Sequence, residues 1–235
     1  MNILPTSGSA RALTLMEVLG VLVALLVLVA LALTFLVKER GRHRTQCQNN
    51  LVQVGLSFRV WANDNDDKYP YATTNCLAYT NETQAWLHYF VISNELGSAR
   101  ILTCPQDEAR LTNMVSDFTS SSMGLLSKTN RAVSYFVGLE AEDGLANELL
   151  TGDRNILARS EGANSRVLSL ATNTPFRWGS DLHTNRGNIT MADGSVHNLD
   201  RWGLLSQLSS GSSGFGTVVG SGLATNRLLM PVVPP

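Results

Sequence analysis

The chain has 235 residues, a formal net charge of −1 and 44% hydrophobic residues. That suits one globular domain plus an additional segment. The near-balanced charge removes any global electrostatic reason to expect a nucleic-acid partner. Much of the apolar content is packed between Leu13 and Val37. The remaining roughly 170 residues suffice for one modest core. They are rich in Asn, Ser, Thr and Gly, so a loop-heavy domain is expected.

Residues 13–37 carry Glu17 as their only charge. A helix of that length reaches about 37 Å, more than a ~30 Å hydrocarbon core. The run also exceeds the apolar region of an ordinary signal peptide, and Lys38, Glu39 and Arg40 follow it rather than a small-residue cleavage pattern. It is therefore expected to span a membrane and to stay in the mature protein. Glu17 is the anomaly, because a carboxylate there costs roughly a few kcal/mol unless it finds a partner. Two readings stand. Glu17 snorkels to the interface, or it pairs with a cation from another subunit. The α-amino group of a chain starting at Leu13 is such a cation, and Leu13 and Glu17 are one helical turn apart.

After Gly41, a candidate bend, Cys47, Leu51, Val54, Phe58 and Trp61 form one apolar stripe on a helix. Gln48, Asn49, Gln53, Ser57 and Arg59 read as the opposite face. The helix is expected to stop near Asn63, where turn formers begin and Pro70 follows. Asp64, Asp66 and Asp67 invite a calcium reading. The EF-hand Gly and Glu positions hold Tyr69 and Asn75 instead, so a helix-terminating turn is preferred.

Residues 83–95 suggest a short helix with Trp86, Phe90 and Tyr89 inward. Strands are expected over 132–139, 166–170, 187–192 and 195–199. Asp193-Gly194 is a hairpin signal for a two-residue type I′ turn, which needs two residues at positive φ. A small antiparallel sheet should pack on the 44–63 helix. His183 is not expected to meet Asp193, since the intervening strand puts ~15–20 Å between its start and the turn. Asp193 is assigned to the turn and His183 to a loop contact. His197 beside Asn188 or Thr190 is the weaker polar cluster.

Cys47, Cys76 and Cys104 allow at most one intramolecular bridge. Cys76–Cys104 would staple the loop region and Cys47–Cys104 the helix to the loop; Cys47, on the stripe, also reads as a buried thiol. No local Cys/His spacing suggests zinc. Residues 206–222 read as a flexible Ser/Gly-rich segment. The tail to Pro235 cannot continue a helix past Met230.

Ala12-Leu13-Thr14-Leu15-Met16-Glu17 resembles the type IV prepilin processing site, usually Gly before the cut and then Phe-Thr-Leu-Ile-Glu. In that family a membrane peptidase cuts after the small residue, the new N-terminus is methylated, and the glutamate docks subunits into a filament. The resemblance implies cleavage between Ala12 and Leu13, N-methylation of Leu13 and docking through Glu17. Here Ala12 stands for Gly and Leu13 for Phe. Cys47-Gln48-Asn49-Asn50-Leu51, then Trp61 to Pro70, resembles a prepilin-like group of planctomycete- and verrucomicrobia-type bacteria that reads C-x-N-N-L-K-Q-I-G-L and Y-A-D-D-N-x-G-x-x-P. Val52 stands for the usual Lys. Cys104-Pro105-Gln106-Asp107 matches that group's C-P-x-D, and His183 with Asp193-Gly194 matches its H-x9-D-G processing-associated motif. Within the resemblance Cys47–Cys104 gains weight over Cys76–Cys104, because Cys76 has no counterpart. Charge counting across the apolar segment, Arg11 against Lys38, Arg40, Arg42 and Arg44, would put the C-terminal domain in the cytoplasm. The resemblance puts it in the periplasm, and the reading follows it.

The expected fold is α+β and pilin-like: a long N-terminal helix, half membrane-spanning and half amphipathic, packed on a small antiparallel sheet. The expected parts are a leader (1–12), a transmembrane helix (13–37), an amphipathic helix (38–63), a head (64–205) and a Ser/Gly-rich segment with a Pro-containing tail (206–235). The expected function is a pilin or pseudopilin subunit of a type IV pilus or type II secretion filament, anchored in the bacterial inner membrane. Its expected partners are prepilin peptidase, other subunits, an inner-membrane assembly platform and the lipid bilayer. The alternative is a non-polymerising single-pass envelope protein with a ligand-binding periplasmic head. No cofactor or metal is expected. No hydrolase, metalloprotease or P-loop signature occurs, and His183, Asp181 and Asp193 are the sole catalytic candidates.

Overall fold

An apolar run without turn formers should give one helix, and in a computed structural model α1 spans Leu15–Asn63 without interruption at Gly41. The structure describes residues 14–73, 84–158, 167–211 and 226–233, with the backbone alone described at 35–41 and 211. The chain divides into two compact units, Met1–Arg42 and His43–Pro235. In the first, Leu15–Thr34 is long and apolar enough to cross a membrane and has no buried share. Thr14 and Glu17 close its first turn as a capping box. The Glu17 carboxylate accepts the Thr14 backbone N–H at 2.8 Å and the Thr14 hydroxyl at 3.0 Å. The Glu17 N–H donates to the Thr14 hydroxyl at 3.4 Å.

The second unit is α+β. Short helices α2 (Ala85–Val91), α3 (Ser93–Leu96), α4 (Glu108–Leu111) and α5 (Leu125–Lys128) precede the strands. These are β1 (Tyr135–Gly138), β2 (Leu149–Asp153), β3 (Ile156–Ala158), β4 (Val167–Leu170), β5 (Phe176–Trp178), β6 (Gly187–Met191) and β7 (Val196–Leu199). Helix α6 (Arg201–Gly211) and β8 (Asn226–Leu229) complete it. Six strands form an antiparallel sheet in the order β4-β8-β1-β2-β6-β7, and β3 pairs β5 separately.

Alternation on β1 divides the core. Tyr135 and Val137 pack against α1 and α2, while Phe136 faces a second cluster with Leu204 and Leu208 of α6. The predicted stripe is the buried face of α1: Cys47, Leu51, Val54 and Phe58 are fully buried and Trp61 nearly so. Ser57 departs from the expected polar face. It is buried, and its hydroxyl donates to the carbonyls of Gln53 and Glu95. Helix and sheet meet closely at Gly55, where a Cβ would stand 2.5 Å from Thr190 Cγ2. In α2, Trp86 and Tyr89 are buried as expected, and Phe90 is only partly so.

Two expectations need correction, and the tail gains a definite place. The β6–β7 connection is not a two-residue type I′ turn. Gly194 N donates to Met191 O, Met191 N donates to Ser195 O, and only Gly194 of the three loop residues Ala192-Asp193-Gly194 has positive φ. That is a three-residue hairpin loop, in which one glycine in the left-handed region suffices. Residues 206–211 belong to α6 rather than to a flexible segment, because Leu204 and Leu208 bury one turn apart; residues 212–225 lie outside the described residues. Residues 226–229 of the tail form an interior strand, Leu229 lying between Val137 and Val167. Arg110 and Asn130 then donate to the carbonyls of Pro231 and Val232 at 2.8 and 3.0 Å.

Gly55→Ala gains about 1 kcal/mol of helix propensity and loses about 1–3 kcal/mol to overpacking. Denaturant unfolding should show a net loss, restored by adding Thr190→Ser, which removes Cγ2 and keeps the hydroxyl. Before β2, burial pushes the Glu148 carboxyl up to about 7 from its ordinary 4.5, opposed by the bond it accepts from Glu142 N–H. The folded state then binds more protons than the unfolded one between those values, so stability falls as pH rises through that window. Glu148→Gln keeps an acceptor for Glu142 and should flatten this slope, raising Tm above pH 7 and not below pH 4.5.

Candidate functional site

Three separated sequence motifs converge at one buried place. Cys47 on α1 is bonded to Cys104. Both are fully buried, so Cys47 is a buried half-cystine rather than a thiol; Cys76 lies outside the described residues. Cys104-Pro105-Gln106-Asp107 is a turn in which Asp107 N donates to Cys104 O at 2.9 Å, with Pro at the position that favours its φ. Ser134, the residue before β1, holds the turn, since its hydroxyl accepts Cys104 N–H at 3.0 Å. At the other end of the turn, fully buried Asp107 takes both fork nitrogens of Arg154, at 2.8 and 2.7 Å. Arg154 also reaches Asp181, at 3.2 Å.

His183 reaches the same place from the β5–β6 loop. Asn155 clamps that loop by donating to the carbonyls of Gly179 and Arg186, both at 3.1 Å. Thr184 and Asn185 turn the chain back with φ of 47° and 61°. His183 Nε2 then lies 3.2 Å from Asp153 Oδ2 and 3.6 Å from Cys104 Sγ. The same Asp153 oxygen accepts Asn188 N–H at 2.6 Å and Asn188 Nδ2 at 2.9 Å. His183 and Asp153 are both buried. Burial pushes the Asp153 carboxyl up to about 7, opposed by the two Asn188 bonds. Burial, then the charge of Arg44, pushes the His183 imidazole down to about 4. Both directions favour a neutral, proton-sharing pair over a buried ion pair.

His183 therefore pairs with a residue that sequence reasoning did not name, and it is not on the surface. As expected it does not meet Asp193. Antiparallel register places Asp153 opposite Asn188, at the start of β6, whereas Asp193 follows its far end. Asp193 holds the hairpin through Ser195 N–H, and its carbonyl accepts from Arg59. His197 lies beside the strand that carries Asn188 and Thr190, opposite Ile189, and its hydrogen bond is to Ser195 at 2.9 Å. Asp181 braces Arg154. Glu17 lies in the other unit, and Ala12 and Leu13 lie outside the described residues.

Comparison with protein-family models, curated proteins and solved structures finds no match. The cluster is thus read from its own geometry. It closes the head covalently and through a bidentate ion pair. Among the described residues, Cys47, Cys104 and His183 also form a group whose ligand atoms all lie within 4.8 Å of one another; Asp64, Asp66 and Asp67 form none. An open groove of about 440 Å³ lies elsewhere, lined by residues that include Phe176, Arg177 and Arg201.

Arg154→Ala strands the Asp107 carboxylate, whose side chain is wholly inaccessible. Unfolding should report a loss of about 3–5 kcal/mol, with Arg154→Lys recovering only part, since an ammonium cannot reproduce the fork.

Proposed function

We propose that this chain is a pilin- or pseudopilin-like structural subunit, cut before Leu13 by a prepilin peptidase and methylated there. It assembles into a type IV pilus-like or type II secretion pseudopilus filament on an inner-membrane platform. The observation that carries the reading is the exposed apolar helix Leu15–Thr34, with a single acidic residue in its first turn. Such a surface is satisfied by lipid or by copies of itself. In the filament, Glu17 pairs with a neighbour's amino terminus, and burying both charges together avoids the cost of burying either alone. A periplasmic head suits the Cys47–Cys104 bridge, which persists in oxidising compartments. The reading gives the chain no catalytic role.

One observation favours the non-polymerising envelope protein instead. The Glu17 carboxylate already accepts two bonds from Thr14, so helix capping alone accounts for an acid at this position.

Glu17→Gln separates the two readings, because glutamine keeps the capping box and drops the charge. The expected N-terminal peptide, by mass spectrometry of the membrane fraction, starts at N-methylated Leu13. Sedimentable oligomers should fall at least tenfold in both Glu17→Gln and Glu17→Ala. Parent-like assembly of Glu17→Gln would reduce the glutamate to a cap. An intact leader in the presence of the peptidase would leave only a membrane anchor.

A further inference from the structure

The buried cluster brings three metal-ligating side chains, Cys47, Cys104 and His183, around one point, with Asp153 against His183 on its edge. Ligands held tetrahedrally at about 2.0–2.3 Å from a zinc ion lie about 3.3–3.8 Å from one another. His183 Nε2 stands 3.6 Å from Cys104 Sγ and 3.2 Å from Asp153 Oδ2. Cys47 Sγ belongs to the same group, in which the sulfur and imidazole ligand atoms are all within 4.8 Å. Two of the three contacts around Nε2 are therefore already near the spacing of ligands that share an ion. A zinc site needs the sulfur–sulfur bond opened and the Asp153 carboxylate drawn in toward the sulfurs.

A second observation points to a ligand. Asp153 Oδ1 is buried and has no hydrogen-bond partner, although Oδ2 is satisfied twice over through Asn188. Burial holds the Asp153 carboxyl neutral, and a divalent cation beside it would stabilise the ionised form instead.

We propose that Cys47, Cys104, His183 and Asp153 form a zinc site when the disulfide is reduced, so that the head has two alternative closures at one place. The redox step is balanced by a dithiol reductant. It supplies two electrons and two protons, becomes a disulfide, and leaves two thiols at Cys47 and Cys104. Zinc then displaces the two thiol protons and the proton shared by Asp153 and His183, and binds two thiolates, the neutral imidazole and the carboxylate. Two-electron oxidation by a disulfide donor reverses the sequence and releases the ion. Both closures tie α1 to the Cys104 turn. The zinc form additionally ties in the His183 loop and the end of β2. Thiolate, imidazole and carboxylate together suit zinc; a hard cation such as calcium takes oxygen ligands. The inference is independent of filament assembly.

The test uses the full chain in detergent with Cys76→Ser, so that the remaining thiol cannot contribute. After reduction with a phosphine, which does not compete for zinc, cobalt(II) is titrated as a spectroscopic probe and then displaced by zinc. The expected result is one equivalent of cobalt, with thiolate-to-cobalt charge-transfer absorption and tetrahedral d–d bands, abolished by zinc. The oxidised chain should bind none. Asp153→Asn and His183→Ala should each weaken binding at least tenfold, read on proteins whose oxidised forms retain the disulfide and a parent-like circular dichroism spectrum. Should His183→Ala not fold, His183→Gln takes its place beside Asp153→Asn. Absence of thiolate–cobalt absorption in the reduced parent overturns the proposal. So does parent-like affinity in the folded variants, which would mark an adventitious dithiol complex.

Discussion

The head depends on one seam, where residues 47–62 of α1 lie on the sheet. A helix can approach a sheet closely only where side chains are small, and Gly55 against Thr190 provides that place. The Thr190 hydroxyl donates to Leu51 O at 3.4 Å along the same line. Around it, Leu51, Val54 and Phe58 lose all solvent contact, at roughly 1.5–3 kcal/mol each by area. One turn before Leu51 the seam is closed covalently. A bridge across 57 residues removes about 4 kcal/mol of unfolded-state entropy in the chain-entropy view. Because the seam fixes the helix against β6, it also fixes β2 beside it, and with β2 the position of Asp153.

The polar residues next to the seam follow from that closure. Asp107 and Arg154 can be buried together because the Cys104 turn and the end of β2 meet there, and a bidentate pair offsets much of the desolvation. Asp153 and His183 solve the same problem differently. Neither has a full countercharge, so burial drives both toward neutrality. The first unit poses the opposite problem. Its apolar surface remains exposed over Leu15–Thr34, and only another apolar phase removes that cost.

Much of the architecture was legible because it repeats locally. The stripe from Cys47 to Trp61 recurs through four turns, and a 3.6-residue period has no other reading at that length. The strands at 135–138, 167–170, 187–191 and 196–199 showed their β-branched or alternating patterns. Ser57 was misread because residue type was taken for environment; the carbonyl of Glu95, 38 residues away, makes it internal. The type I′ turn failed because Asp193-Gly194 marks a tight turn without fixing the number of loop residues. Strand β8 was hidden since its four residues have no periodicity to show, and its partners lie near 137 and 167. The pairing of His183 with Asp153 was hidden for a related reason. It follows from the register of β2 on β6 and from a left-handed turn at Thr184 and Asn185.

By itself, the sequence determined what depends on neighbours along the chain. That includes the apolar N-terminal helix, the amphipathic stripe that follows it, and the strands long enough to show a pattern. Each is a local preference of backbone and solvation, written within a few residues. Tertiary structure alone decided which cysteine is bridged to Cys104, where β8 enters the sheet, and that Cys47, Cys104, Asp153 and His183 share one site. Those outcomes bring together residues from four distant segments. No local spacing encodes them, because they arise only when the sheet's register and the helix–sheet seam are satisfied at the same time.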